Sequence, residues 1–325
     1  MSNTRIPGGS PAPKLDDVAV LGVPRSRRRR VQKRTPADWA VDVAIGIMIA
    51  LVLAAVIYPL WWIVISSVSD PKAVAGGQVT FLPVGFSFDG YGLILSDSRI
   101  WTGYRNTLLY AFAGTAINLA VTLPAAFAMS RPEFRPRRII MFLFAFTMFF
   151  GGGLIPSFLL IKSLGMLDTI WVFLIPGAFS VFNMIIARTF FENSIPEELR
   201  EAAQLDGLSY FGYFFKIALP LSGAIIAVIG LYYFVGHWNN FFTGLIYIRS
   251  QELQPLQNVL QQILLANQTQ QGGSTSAGVS AGAAQEFADQ IKFGVIIVST
   301  LPLLVLYPLL QRYFNKGAMI GAVKG

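Results

Sequence analysis

Residues 193–222 have the sequence NSIPEELREAAQLDGLSYFGYFFKIALPLS, which predicts a helix, a turn and a second helix. Ser194 is predicted to cap the first helix, because Glu197 three residues later would complete a capping box. Gly207 suits the position just after the last helical turn, where a left-handed residue ends a helix. The first helix is therefore predicted at about 194–208.

This predicted helix has a narrow apolar face with small side chains. Leu199, Ala202 and Ala203 fall at positions i, i+3 and i+4, so they share one side, and Glu201 flanks them. Small side chains let another backbone approach closely, and an amphipathic helix of this kind fits a groove on a soluble partner. From the pattern alone, the alternative is a helix that lies on the membrane surface.

Long apolar runs lie on both sides of this stretch. Of the 325 residues, 54% are hydrophobic and 13% are charged, whereas about a quarter of an ordinary soluble domain is charged. A helix rises about 1.5 Å per residue, so it needs about 20 apolar residues to cross a hydrocarbon core about 30 Å thick. The segments that reach this length are 41–66, 106–129, 138–161, 170–191, 218–246 and 292–314. The sequence therefore predicts an all-α membrane protein with six transmembrane helices.

The basic residues indicate how these helices are oriented. If the chain starts in the cytoplasm, the inside segments carry 18 Lys and Arg and the outside segments carry four. Because cytoplasmic loops retain basic residues, both termini are predicted to be cytoplasmic. Residues 1–36, rich in Pro, Gly, Ser and Arg, are predicted to be a disordered basic tail next to lipid headgroups, with no role for nucleic acid. Residues 37–325 are predicted to form the membrane domain, with a flexible outside loop at 262–285 that is a solvated connector or, as the alternative, a docking surface.

Several classes of chemistry lack the residues that they require. The chain has no cysteine and one histidine, His237, which excludes disulfides and thiolate metal sites and disfavours zinc. No GxxxxGK[ST] sequence is present to hold ATP phosphates, and no HExxH or GxSxG sequence indicates a hydrolase. A membrane-embedded enzyme is therefore disfavoured, and no catalytic residue, metal or cofactor is predicted in this chain.

A set of residues with fixed spacing carries a family resemblance. They follow the pattern EAA-x3-G-x9-I-x-LP and are Glu201, Ala202, Ala203, Gly207, Ile217, Leu219 and Pro220. The pattern resembles the EAA signature of permease subunits in ATP-binding-cassette importers. Residues 151–191, 237–242 and 316–325 are similar to the MalG-type and LplC-type permeases for complex sugars and polysaccharide fragments. The resemblance covers about residues 40–325.

The resemblance implies a type I importer (MetI-like) architecture in the bacterial cytoplasmic membrane. It implies a second permease subunit, two cytoplasmic ATPase subunits that bind ATP and Mg, and an extracytoplasmic solute-binding protein. The EAA residues would couple this chain to the ATPase, with Glu201 making a polar contact, Gly207 supplying the turn and Pro220 opening the fifth span. The segment 316–325 would also reach the ATPase, unless it is a disordered end.

Polar residues in the predicted spans are candidates for a substrate pathway. They are Asn118 and Thr122 in the second span, Asn183 near Pro176-Gly177 in the fourth, and His237, Trp238, Asn239 and Asn240 at the outer end of the fifth. The alternatives are hydrogen bonds between helices for the asparagines and an interfacial anchor for Trp238. The glycines at 151–153 are interpreted as a close-packing element or a hinge.

The second function considered is a secondary transporter driven by an ion gradient. Such a transporter needs charged residues inside the membrane for ion coupling, and the interiors of the six predicted spans hold almost none. The ATP-driven importer is therefore favoured.

Overall fold

The computed structural model describes residues 36–272, 291–305 and 308. Within them, regular structure is helical except for an isolated antiparallel bridge between Ser69 and Phe86. The longer helices are α1 (Pro36–Ser67), α3 (Asp89–Ser96), α4 (Ser98–Ser130), α5 (Arg137–Phe149), α6 (Leu154–Ser163), α8 (Val181–Asn193), α9 (Glu197–Leu205), α12 (Gly223–Trp238), α14 (Leu256–Gly272) and α15 (Ile291–Val305). The short helices are α2 (Pro71–Ala75), α7 (Trp171–Leu174), α10 (Tyr210–Tyr213), α11 (Leu219–Leu221) and α13 (Phe241–Tyr247).

The chain divides into two units within α1, between Val56 and Ile57. The described part of the first unit, residues 36–56, is a single apolar helical segment with exposed side chains. The second unit contains the remaining helices. The N-terminal tail predicted at 1–36 lies outside the described residues, apart from its last position.

Among the described residues, α1 and α4 are each long and apolar enough to cross a membrane. Two bent pairs reach that length only when each pair is counted as one span: α5 with α6, and Tyr210–Leu221 with α12. The sixth predicted segment, 292–314, is helical over the residues that α15 covers, Ile291–Val305. The all-helical membrane class is confirmed, but several of the predicted spans are not continuous helices.

The third predicted span, 138–161, is bent at its glycines. The pair α5 and α6 is bent by 112°. Gly153 has φ of +84°, a left-handed conformation that glycine adopts without strain. A Cβ placed on Gly151 or Gly153 would meet nothing within 4 Å. Among the described residues these two glycines therefore pack closely against no other helix, and they lie at a bend, as the hinge interpretation expects.

The fourth predicted span, 170–191, is two helices and not one. It consists of α7 and α8, which are separated by a non-helical stretch around Pro176 and Gly177. Proline lacks a backbone N–H and clashes with the preceding turn, so it interrupts a helix. The fifth predicted span, 218–246, is likewise divided, because α12 ends before Asn239.

The outside loop predicted at 262–285 is wrong for its first part, because α14 is helical to its end at Gly272. Leu256, Val259 and Leu260 of α14 are buried, and a Cβ on Gly103 of α4 would lie 3.0 Å from the Leu256 Cα. The glycine thus lets α14 pack closely on α4, and this packing stabilises a helix that a polar composition did not predict. Residues 273–285 lie outside the described residues.

The largest buried cluster joins α4, α8, α12 and the segment 210–221. Phe127 lies at its centre, with ring centroids of Phe191, Tyr213 and Phe214 at 5.7, 6.0 and 5.0 Å. This cluster holds one end of α4 against the segment that contains the EAA residues.

Candidate coupling site

Helix α9 ends in a Schellman motif. The Leu208 backbone N–H donates to the Ala203 carbonyl over 2.9 Å, and the Gly207 N–H donates to the Gln204 carbonyl over 3.0 Å. Gly207 has φ of +76°, and these two bonds satisfy carbonyl groups that the helix end would leave unpaired. The left-handed turn predicted at Gly207 is confirmed, whereas its role in docking stays a prediction.

The start of α9 differs from the prediction. The capping box is wrong, because Ser194 instead ends α8 and its N–H donates to the Phe190 carbonyl over 2.8 Å. Pro196 takes the N-cap position and makes no side-chain cap. The Glu197 carboxylate is held by two arginines, so it does not fold back onto the helix start. The helix is shorter at both ends than the predicted range 194–208.

The apolar side of α9 is divided between two environments. Ala203 is 3% exposed and packs in the core of its own bundle. Leu199 and Leu205 are 39% and 90% exposed, and Glu201 and Ala202 are exposed as well. The small side chain at Ala203 lets α9 lie close to the bundle, while the other residues present a mixed apolar and acidic surface. Such a surface is suited to a protein partner.

A groove of about 250 Å³ lies beside this surface. It is lined by residues of α9, α10 and their connection, namely Arg200, Ala203, Gln204, Leu208, Ser209, Tyr210 and Tyr213. The Tyr213 hydroxyl is buried and has no hydrogen-bond partner within the described residues. A buried unpaired hydroxyl costs about 1–3 kcal/mol. This hydroxyl is not exposed to solvent, so it is not part of the accessible wall of the groove.

Arg131 joins α9 to the ends of two other helices. It follows the last residue of α4 and is 5% exposed. Its Nη2 donates to the Phe191 carbonyl of α8 over 2.9 Å, and its Nη1 lies 3.5 Å from Glu197 Oε2 at the start of α9. The guanidinium also lies over the Phe127 ring, 5.0 Å from its centroid. A single side chain therefore contacts α4, α8 and α9.

Arg200 makes a second connection to the same loop. Its Nε bonds the Glu197 carboxylate within α9, and its Nη2 lies 3.1 Å from Glu133 Oε1 in the loop between α4 and α5. The hydrogen bond with Glu197 raises the pKa of Arg200. Positive and negative groups thus alternate in a set of four side chains, which we call the ionic clamp: Arg131, Glu133, Glu197 and Arg200.

The sequence interpretation missed the clamp. In the sequence, Arg131 is one of the inside basic residues that orient the membrane helices, and no pattern indicates a role for Glu133. Glu197 was assigned to a capping box. The available signal was the mixed charge of the stretch SRPEFRPRR at 130–138 beside the acidic start of α9, but nothing in the sequence places these two segments together.

The connection from α9 to α12 contains a π-helical turn, Phe214–Ala218. Such turns occur often at functional sites. Ile217 and Leu219 are partly buried against the core around Phe127, whereas Pro220 is exposed. The chain then bends by 82° before α12. Pro220 therefore lies in the short helix before the bend, just ahead of α12, and its role in opening the membrane span stays a prediction.

Two polar layers join α4, α12 and the break between α7 and α8. In the first layer, Asn118 Nδ2 donates to the Gly177 carbonyl over 2.5 Å, and Asn118 Oδ1 lies 2.7 Å from His237 Nε2. Gly114 makes room for this contact, because a Cβ there would lie less than 3.0 Å from three atoms of the His237 ring. Asn118 is fully buried, so the structure shows the interhelical hydrogen bond that was the alternative to a pathway role.

The second layer lies one turn of α4 away. The Thr122 and Tyr233 hydroxyls are 2.6 Å apart, and the Ser180 backbone N–H donates to the Tyr233 hydroxyl over 3.1 Å. Ser180 is the N-cap of α8, so this bond holds the start of that helix against α4 and α12. Both layers therefore satisfy backbone groups that the broken fourth span leaves without helical partners.

The other pathway candidates lie in different environments. Trp238 is 1% exposed and its indole N–H donates to the Ser299 carbonyl over 3.1 Å. It is a buried core residue, so neither the predicted pathway role nor an interfacial anchor fits this conformation. Asn183 is 7% exposed in the first turn of α8. Asn239 is exposed, but its side chain donates to the Val235 carbonyl at the end of α12; pathway roles for these two stay predictions.

Charged groups are nearly absent from the buried interior. Arg131 is the one charged residue among the buried residues that the structure describes. In the same part of the chain, no group of three or more His, Asp or Glu residues could hold a metal ion. The described interior contains no buried acidic residue of the kind that couples transport to an ion gradient.

Taken together, the broken apolar helices and a short amphipathic helix displayed between two of them define a membrane permease subunit. Residues 99–320 match the family described as "Binding-protein-dependent transport system inner membrane component". This match covers more than half of the chain. The protein therefore belongs to this family, and it is a permease component of an ATP-binding-cassette importer.

Individual relatives agree with this assignment. The chain is 37% identical over 280 residues to "Polygalacturonan/rhamnogalacturonan transport system permease protein YtcP" of Bacillus subtilis, covering 86% of this chain and 96% of that protein. It is 37% identical over 292 residues to "Protein LplC" of the same organism, covering 90% and 97%. A crystal structure of a bacterial ABC transporter involved in the import of the acidic polysaccharide alginate contains a similar chain. That chain has a TM-score of 0.78 and 32% identity, with coverage of 87% of this chain and 99% of its own length.

Proposed function

We propose that this permease subunit carries an oligosaccharide or polysaccharide fragment into the cytoplasm, driven by ATP hydrolysis on a separate subunit. A second permease subunit completes the pathway, two cytoplasmic ATPase subunits bind ATP and Mg, and an extracytoplasmic binding protein delivers the cargo. The chain lies in a bacterial cytoplasmic membrane with both termini in the cytoplasm. It contributes no catalytic residue and no cofactor of its own.

The observation that carries the docking proposal is the exposure of α9. Leu205 is 90% exposed while Ala203 on the same short helix is 3% exposed. One side of α9 is thus fixed to the bundle and the other is free to enter a cleft of the ATPase. Glu201, Ala202 and the groove beside α9 complete the docking surface, and Gly207 sets where the helix ends.

Recruitment of the ATPase tests the docking surface. Leu205→Asp changes an exposed side chain, so the subunit is expected to fold and insert normally while ATPase copurification falls at least about ten-fold, equivalent to about 1.4 kcal/mol. Glu201→Ala with Gly207→Asp is expected to give the same loss. Glu252→Ala, which removes an exposed carboxylate outside α9, is the matched control. Unchanged copurification in both α9 variants would show that α9 is not the docking element.

The proposal of a carbohydrate cargo is supported by the names of the relatives. One is described as a polygalacturonan/rhamnogalacturonan permease and another belongs to an alginate importer, and the alginate is described as acidic. The test is a binding screen on the cognate binding protein with oligogalacturonides, alginate oligosaccharides and neutral maltooligosaccharides. Binding of an acidic oligosaccharide, followed by its ATP-dependent uptake into proteoliposomes, is the expected result. Binding of none of the three classes would contradict a cargo of this kind.

A further inference from the structure

The ionic clamp joins the ends of α4, α8 and α9. Of its four residues, only Arg200, which lines the groove, is among those assigned above to the docking surface of α9, so the clamp needs a separate explanation. Helix α9 is joined covalently to α8 on one side and to α10 on the other, because these helices follow one another in the chain. Helix α4 has no such link to α9, because 66 positions separate Arg131 from Glu197. The clamp therefore provides the charged contacts between the docking helix and the helix that carries Asn118 and Thr122.

Arg131 has the surroundings of a side chain held in one position. Its side chain is 7% exposed, whereas the side chain of Glu197 is 45% exposed. The guanidinium donates to Ser130 Oγ over 2.9 Å and to the Phe191 carbonyl over 2.9 Å, in addition to its contact with Glu197. A buried charge is costly unless hydrogen bonds satisfy it. The planar guanidinium can bond several groups in different directions, which a lysine ammonium on a flexible stem does less well.

The second pair adds stiffness because it connects the same two segments at another point. Glu133 lies two residues after Arg131, and Arg200 lies one turn after Glu197 on α9. One contact would allow α9 to pivot about Arg131, whereas two contacts about one helical turn apart oppose rotation. Glu133 is 40% exposed and Arg200 is 13% exposed, so this pair depends on geometry more than on burial.

We propose that Arg131 is a positioning residue that makes α9 and the adjoining end of α4 move as one body, so that displacement of the docking helix reaches the two polar layers. This inference rests on the proposed docking of α9 with an ATPase. Arg131 itself touches neither the cargo nor ATP. Loss of the clamp would leave ATPase binding intact and separate ATP hydrolysis from movement of α4.

The absence of cysteine from the chain allows a direct test. Glu198→Cys on α9 and Val121→Cys on α4, both at exposed positions, carry spin labels in the complete transporter. Their separation is measured by pulsed EPR without nucleotide and after trapping with ATP and vanadate. With the clamp intact, the same single distance is expected in both states. In Arg131→Gln, the distance is expected to shift or broaden on trapping.

Two variants separate the clamp from general loss of stability. Glu133→Gln removes an exposed carboxylate and is expected to show a smaller change in the same direction. Arg137→Gln is the matched control, because Arg137 lies in the same region and is 4.0 Å from Glu192 but outside the clamp; its distance should stay unchanged. An unchanged distance in both Arg131→Gln and Glu133→Gln would overturn the proposal, as would an equal change in Arg137→Gln.

The same samples distinguish the proposal from the docking on which it rests. If the unsubstituted labelled complex lacks the ATPase or cannot trap vanadate, the proposed docking function fails. If trapping occurs equally in all variants and only the Arg131→Gln and Glu133→Gln distances change, the clamp is supported. Arg131→Lys is expected to change the distance between the two spin labels less than Arg131→Gln does, because lysine keeps the charge but not the planar set of donors.

Discussion

Buried polar residues in this bundle hold broken helices together. Asn118 and Tyr233 each bridge two neighbours, and their partners include the backbone of the stretch between α7 and α8. In a membrane, an unpaired backbone group has no water to replace the missing bond. The break in the fourth span is therefore tolerated because side chains from α4 and α12 supply the missing partners.

Replacement of Gly114 tests the first polar layer. Gly114→Ala places a methyl group where the His237 ring lies, so the ring must move and the Asn118–His237 bond is expected to break. Overpacking of this kind costs about 1–3 kcal/mol, measured as a lower thermal midpoint of the purified subunit in detergent. Gly236→Ala on α12 is the control, since a Cβ there meets nothing within 4 Å. Equal midpoints for the two variants would contradict the close contact.

Removal of one hydroxyl tests the second layer. Tyr233→Phe keeps the buried ring but deprives Thr122 and the Ser180 N–H of their partner, with an expected cost of about 1–3 kcal/mol for the unsatisfied groups. The neighbouring Tyr232 is 47% exposed, so Tyr232→Phe is the matched control and should leave the thermal midpoint unchanged. A neutral Tyr233→Phe would show that the hydroxyl does not stabilise the start of α8.

Individual residues also show where sequence reasoning succeeds and fails. The turn at Gly207 was predictable because a left-handed helix end is a local property of the chain. Trp238 was not assigned correctly, since its burial depends on Tyr104, Phe234 and α15, which are brought to it only by the fold. The ionic clamp was missed for the same reason.

At the scale of elements, Asp168 joins the loop between α6 and α7 to the segment after α13. Its carboxylate accepts hydrogen bonds from the Ser250 hydroxyl and from the backbone N–H groups of Arg249 and Ser250. Asp168 has φ of +57°, a conformation that Asp and Asn tolerate better than most residues. The Ser250 hydrogen bonds lower the pKa of Asp168.

This lowered pKa gives the direction of a pH effect. The folded protein favours the ionised form of Asp168. The hydrogen bonds of this carboxylate therefore stabilise the fold at pH values above the unfolded-state pKa of about 3.9, and this stabilisation is lost as the pH falls through the lower pKa of the folded state. Hydrogen–deuterium exchange, corrected for intrinsic rates, should show that protection of the Arg249 and Ser250 amides decreases on acidification. Asp168→Asn is expected to keep partial protection and to lose this pH dependence. The same pH dependence in Asp168→Asn would exclude Asp168 as its source.

The π-helical turn is the second element with a testable role. The EAA spacing of nine residues between Gly207 and Ile217 passes through the beginning of Phe214–Ala218, and a π turn holds one residue more than an α turn. Deletion of Phe215, which is 59% exposed, is expected to restore an α turn and rotate α12 relative to α9 by about 100°. ATPase copurification should persist while ATP-dependent uptake is lost. Phe215→Ala, which keeps the spacing, should retain uptake.

For the whole molecule, helix content and membrane class followed from composition and apolar runs, because hydrophobicity is a property that each segment carries by itself. The continuity of the spans could not be predicted in this way, since each break depends on residues in other parts of the chain. Gly153 permits the bend between α5 and α6, and the two polar layers support the break between α7 and α8. A chain with long apolar runs can therefore be assigned to the membrane before its bent and broken helices can be located.

The orientation of the molecule is the final prediction, and it depends on the distribution of basic residues. Because 18 Lys and Arg lie in segments assigned to the inside against four on the outside, both termini should face the cytoplasm. The cysteine-free chain permits single labels: Ser26→Cys and Ala322→Cys near the termini, and Ser163→Cys at the last residue of α6. An impermeant maleimide added to spheroplasts should label only Ser163→Cys, and inverted vesicles should give the reverse pattern. Labelling of a terminus in spheroplasts would contradict the orientation, and α9 would then face away from any cytoplasmic ATPase.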